Sequence, residues 1–220
     1  MPYDFKQQAY YPFNFHTFLD SYKKNTPLKT ERYYFNLWES IFEKLCRTED
    51  THLIPLDNTN FQYPIACNNG QDFLLQLNIT SISRSCKHHN FPIQKFPAEY
   101  FNTNGEHPRI HYCNEVYNKF HIETELPIII SPIGFSLQDE YIVIDGNHRI
   151  SAKLANKHPY ISGIVYIPIN TSDFLSPLNW AFYLFFMEIR SFCVEVLNGI
   201  PFSTLYPKSN IFSAFLPLIQ

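Results

Sequence analysis

No Cys-x-x-Cys pair occurs in the chain, and its five cysteines, Cys46, Cys67, Cys86, Cys113 and Cys193, are odd in number and widely spaced. That excludes the spacing signature of a disulfide framework or a zinc ribbon, and reduced thiols in a cytoplasmic protein are expected. A basic run is also missing. Lys and Arg number 17 against 20 Asp and Glu, for a formal net charge of -3. Such a balance exerts no long-range pull on nucleic acid or acidic membranes, so duplex DNA is not an expected partner. Met1-Pro2-Tyr3-Asp4 shows neither a basic start nor an apolar run, and no signal peptide is expected. No internal repeat or low-complexity segment is visible.

Aromatic residues, by contrast, are abundant at 17%. Rings at that density either fill a core or line a binding surface, and core filling is the expected use. The length of 220 residues suits one large domain, or a domain with substantial extensions. Residues up to Pro27 read as an arm or short helix. Thr30 is placed to cap a helix from Glu31 to about Arg47, with Tyr34, Trp38, Ile41 and Leu45 on one apolar face. Phe73 to Ile79 alternates weakly as a strand, and 81–90 reads as a polar loop. Ser176-Pro177 has the form of a cap followed by proline at the first helical position, with Gly199 as the stop. Glu188, Arg190 and Glu195 make that helix too charged to span a bilayer, so no membrane partner is expected. The tail from Ile200, with Pro201, Pro207 and Pro217, is expected to run extended.

The chemistry concentrates at 140–155. Tyr141-Ile142-Val143-Ile144 is a short, mostly β-branched run and reads as a buried strand. Asp145-Gly146 breaks it with a sharp turn. From Asn147 the apolar period changes, Ile150, Leu154 and Ala155 falling one helical turn apart. A strand, a tight turn and a helix place the helix's first amides and its positive dipole end at the turn, a ready anion site. Gly146, Asn147, His148 and Arg149 are the candidate phosphate-binding residues, with Asp145 beside them. Arg149 has two readings: a planar fork on a phosphate, or a salt bridge to Asp145 or a nearby glutamate. His148 could donate to the same phosphate or carry a proton. For Asp145 three roles stay open: holding a hydroxyl, taking its proton, or helping to hold magnesium between phosphates.

Asp145-Gly146-Asn147-His148-Arg149 at a strand-to-helix turn resembles the signature of the ParB/sulfiredoxin-like superfamily, closest in form to the Asp-Gly-His-His-Arg of ADP-dependent free serine kinases. Leu126 to Ile130 looks like the family's preceding strand, Ile164 to Ile167 like the following one, and Phe91 to Phe101 more loosely like its opening strand and turn. The resemblance spans roughly a third of the chain. It implies an α/β (α+β) fold with a small mixed sheet over 91–170, flanked by helical or loop extensions over 1–90 and 171–220. It also implies a bound nucleotide (ATP, ADP or CTP), with or without magnesium. Glu99 matches by approximate position the glutamate that acts as base in the serine kinases; a solvated loop glutamate is the plainer reading of it and of Glu106. Asn147 stands where sulfiredoxins carry their catalytic cysteine, which argues against sulfiredoxin chemistry. It also replaces the first His of the kinase motif.

Metal-ligand types occur at Cys86, His88, His89, His107 and His111, but Pro108 interrupts the His-x-x-x-His pair and no metal site is expected. The leading expectation is a kinase-like phosphotransferase, or an enzyme that cleaves a phosphate ester, with Asp145, His148 and Glu99 as catalytic candidates and a small-molecule acceptor. One alternative is a DNA-binding or nuclease member of the superfamily linked to plasmid, phage or defence systems. No helix-turn-helix follows the motif in its support. The other alternative is a non-catalytic nucleotide sensor.

Overall fold

A computed structural model describes residues 13–48, 60–67, 70, 72–101, 109–112, 125–132 and 141–219. In chain order the elements are α1 (Phe15–Asn25), α2 (Arg32–Thr48), β1 (Asn60–Ala66), β2 (Asp72–Asn78), α3 (Ile79–His88), β3 (Gln94–Pro97), β4 (Ile110–His111), β5 (Ile128–Ser131), β6 (Tyr141–Asp145), α4 (Asn147–Ala155), β7 (Tyr160–Val165), α5 (Pro177–Leu197), α6 (Phe202–Leu205), α7 (Asn210–Ala214) and α8 (Leu216–Ile219). The fold is mixed α+β with helical extensions, and it divides into two compact units. One is built on residues 77–168 and the other on 13–48, 62–76 and 169–219.

The first unit is a five-stranded mixed sheet in the order β3-β7-β5-β6-β4. Parallel pairs (β5 with β7, β4 with β6) alternate with antiparallel ones (β3 with β7, β5 with β6). Phe101, Ile110, Ile128, Ile130, Val143, Ile150 and Ile161 form its core, so α4 packs through Ile150 onto the same apolar cluster as the strands. Ile129 faces Asp145 while Ile130 faces Val143, so Ile144 is an extra residue and marks a bulge in β6 against β5, one residue before the end of the strand. Bulges re-aim the chain next to them, and here the re-aimed chain is the turn into α4.

The second unit is where the aromatic residues go. Phe18, Phe35, Trp38, Phe42, Phe182 and Phe185 are fully buried, and Phe73 stacks on Phe182 with centroids 3.6 Å apart. Each such ring contributes about 2–3 kcal/mol by burial. The stripe of α2 is as the spacing requires, with Tyr34, Trp38, Ile41 and Leu45 all buried. His16 and Lys23 of α1 both pair with Glu39 of α2. One carboxylate sits inside this apolar mass. Glu188 of α5 accepts from the Tyr34 hydroxyl (2.8 Å), the Trp38 indole N–H (3.3 Å), the Ser209 hydroxyl (2.8 Å) and the Asn210 amide. Burial pushes its pKa up, and those donors pull the other way.

Three local expectations are corrected. Residues 81–90 are not a polar loop: α3 covers 79–88, because Asn78 caps it by accepting from the Ser81 amide at 3.0 Å and Ile82 and Cys86 are buried on one face. The tail is not extended but folds into α6, a 3₁₀ turn, α7 and α8. Its prolines stand at or just before helix starts, where no N–H is needed. Thr30 does not hold the cap position, since α2 starts at Arg32 and its ladder opens on the Glu31 carbonyl, which accepts from the Phe35 amide at 3.4 Å. Cys113, Glu106 and His107 lie outside the described residues.

Glu188→Ala leaves several buried donors without an acceptor and should cost about 3–5 kcal/mol, measured by chemical denaturation. Glu188→Gln, which keeps one carbonyl oxygen, should cost clearly less. Equal, small losses in both variants would show that the carboxylate does not hold these segments.

Candidate functional site

The site is the end of β6. Tyr141–Asp145 runs as a strand with Ile142, Val143 and Ile144 buried, and the chain then reverses into α4 through Gly146. Gly146 occupies the N-cap position with φ of 107°, a left-handed conformation that disfavours any residue with a Cβ. Space enforces the same choice. A Cβ there would lie 2.6 Å from Ile128 Cγ2 and 2.9 Å from Arg149 Nη2. No side chain caps the helix. The intrahelical ladder opens with the Ile150 amide donating to the Gly146 carbonyl at 3.0 Å, so the amides of 147–149 lie ahead of it at the helix mouth.

Arg149 folds back over Gly146. Its Nη2 donates to Asp145 Oδ2 at 2.8 Å, with the arginine side chain 17% and the aspartate side chain 35% exposed. Of the two readings of Arg149, the bridge to Asp145 is the contact seen. It is one-pronged. The guanidinium Nε is buried and has no hydrogen-bond partner, so the planar fork is only partly used. His148 is exposed at the mouth. Partial desolvation and then the Arg149 charge lower its pKa from the usual 6.5, while Asp145 raises it. Asn147 is the first residue of α4 and half-buried.

Glu99 lies on the 3₁₀ turn 98–101 after β3 and is exposed. β3 and β6 point the same way, so Glu99 follows a strand whose C-terminal end lies at the same end of the sheet as Asp145. Two strands, β7 and β5, stand between them, roughly 14 Å at the usual strand spacing. The structure brings Asp145, Gly146, Asn147, His148 and Arg149 together in one turn, level with the start of β3 at Gln94, and leaves Glu99 both at that lateral distance and several residues further along the strand direction. Among the described residues no group of three or more His, Cys, Asp or Glu is placed to hold a metal ion.

Ile128 is the positioning residue that the sequence reading missed. Its side chain fills the room left by two glycines, approaching the Cβ positions of both Gly146 and Gly163 within 3 Å. In the sequence it is one isoleucine of an apolar run; the available signal was that glycines bracket α4 on both sides. A scan against protein-family models, a search of curated proteins and a search of solved structures each find no match to the chain.

The charges around His148 make a test of this geometry. In the free protein its ring should titrate below 6.5 by NMR, rise in Arg149→Ala and fall further in Asp145→Asn. Because the folded-state pKa is the lower one, the stability this group contributes is full above about 6.5 and is lost as pH drops through the depressed value. A His148 pKa that ignores both substitutions would place the imidazole away from the pair.

Proposed function

We propose that the chain binds a nucleotide through its phosphates at the Gly146–Arg149 turn and acts as a phosphotransferase or phosphate-ester-cleaving enzyme. The observation that carries this reading is the Arg149 guanidinium, folded back over a side-chain-free Gly146 to the mouth of α4 with its Nε donor unpartnered. Phosphoryl transfer asks chiefly for positioning and charge neutralisation, and a guanidinium beside helix amides supplies both. The resemblance of Asp145-Gly146-Asn147-His148-Arg149 to the ParB/sulfiredoxin-like signature supports the same use. Asp145 and His148 are then the groups next to the transferred phosphate, with Glu99 a base only for a substrate that spans the strand end. Magnesium would arrive with the phosphates and lean on Asp145, the described carboxylate at the turn.

One observation favours a second reading, a nucleotide sensor without turnover: Asp145 is already spent on Arg149, which leaves the turn without an unengaged base. Turnover of a bound nucleotide with magnesium separates the two.

A melting panel with ATP, ADP and CTP, with and without magnesium, tests the shared claim. Ligand at a hundred times its dissociation constant stabilises by about 2.7 kcal/mol, a readily measured rise in Tm. Arg149→Ala should abolish that rise, affinity falling more than tenfold. Its own stability should fall by only about 1 kcal/mol, as for a partly solvated pair. No nucleotide raising Tm, or Arg149→Ala binding as tightly as the parent, would reject the site.

A further inference from the structure

We infer that Asp145 is an internal competitor for the anion at Arg149, an autoinhibitory carboxylate built into the turn; this rests on the phosphate-site reading above. Three observations carry it. First, the guanidinium is not waiting free at the helix mouth: Nη2 lies 2.8 Å from Asp145 Oδ2. Second, the contact is the weaker kind. An arginine and a carboxylate that match fully share two parallel hydrogen bonds, whereas here a single bond forms and Nε stays buried without a partner. Third, the carboxylate is about a third exposed, so water can take over its solvation once Arg149 turns away. A carboxylate buried on all sides could not be released so readily.

The backbone makes the competition specific to this turn. Asp145 ends β6 and Arg149 belongs to the first turn of α4, and Gly146 between them carries no Cβ that would separate the two side chains. A phosphate approaching the mouth therefore meets a guanidinium already half neutralised, and a negative charge within a few ångströms of its own. Removing that charge while keeping the side-chain shape should tighten anion binding, the opposite of what loss of a phosphate contact does. It also follows that anything neutralising Asp145 prepares the site for its anion, and that bound anion leaves Asp145 free of Arg149.

The test uses the full chain and pyrophosphate as probe, titrated calorimetrically at fixed ionic strength. Asp145→Asn should bind about tenfold tighter than the parent, and Arg149→Ala should not bind. Equal or weaker binding by Asp145→Asn, with the parent binding and Arg149→Ala silent, overturns the competition and leaves the anion site standing. Binding by neither the parent nor Asp145→Asn overturns both. Should Asp145→Asn fail to fold, the parent alone still decides. Pyrophosphate must shift the Asp145 carboxylate carbon and the Arg149 Nε–H resonances together, and an Asp145 signal that stays fixed while Arg149 moves rejects the exchange.

Discussion

β6 leaves the core at Asp145, and the way its chain then turns determines the rest of the site. Gly146 takes a left-handed conformation against Ile128, and the bulge in β6 at Ile144 falls just before the same point. The absent Cβ serves two contacts at once. It lets Ile128 rise against the turn from the sheet side, and it lets the Arg149 guanidinium descend from the helix side. Without that space the arginine could not reach Asp145, and the mouth of α4 would carry no fixed cation. The site's charge geometry is thus set by a packing constraint on one residue, held in turn by the apolar cluster of Ile128, Ile130, Val143 and Ile150.

The second unit solves a different problem. A carboxylate within a core of phenylalanine and tryptophan rings is costly to desolvate, and Glu188 is retained there with four donors drawn from α2 and from residues 209 and 210. Such an arrangement ties together segments far apart in sequence. It is structural chemistry, and nothing in it points toward a ligand.

Legibility in the sequence followed the strength of local signals. The strand at 141–145, the glycine turn and the helix from Asn147 were readable because β-branched residues, a turn dipeptide and a change of apolar period stood in a row. The caps of α5, Ser176 and Gly199, were readable for the same reason. The helix α3 was not, since only Ile82 and Cys86 of its ten residues are buried and its cap, Asn78, sat at the end of a strand pattern. The tail misled because proline was taken as a mark of extended chain when it also suits a helix start. At the site, residue identity was legible and partnership was not. Whether Arg149 meets Asp145 or open solvent depends on the path of Gly146 over Ile128, and Ile128 belongs to a strand that the sequence offered no reason to place beneath the turn.

An anion received at the mouth of α4 would be seen in a titration of the isotopically labelled chain with inorganic pyrophosphate. The backbone amides of Gly146, Asn147, His148 and Arg149 should shift saturably, together with the Arg149 Nε–H signal, while the exposed basic residues of α3 (Arg84, Lys87 and His88) stay still. Shifts spread over α3 and other surface cations, with the 146–149 amides unmoved, would contradict it.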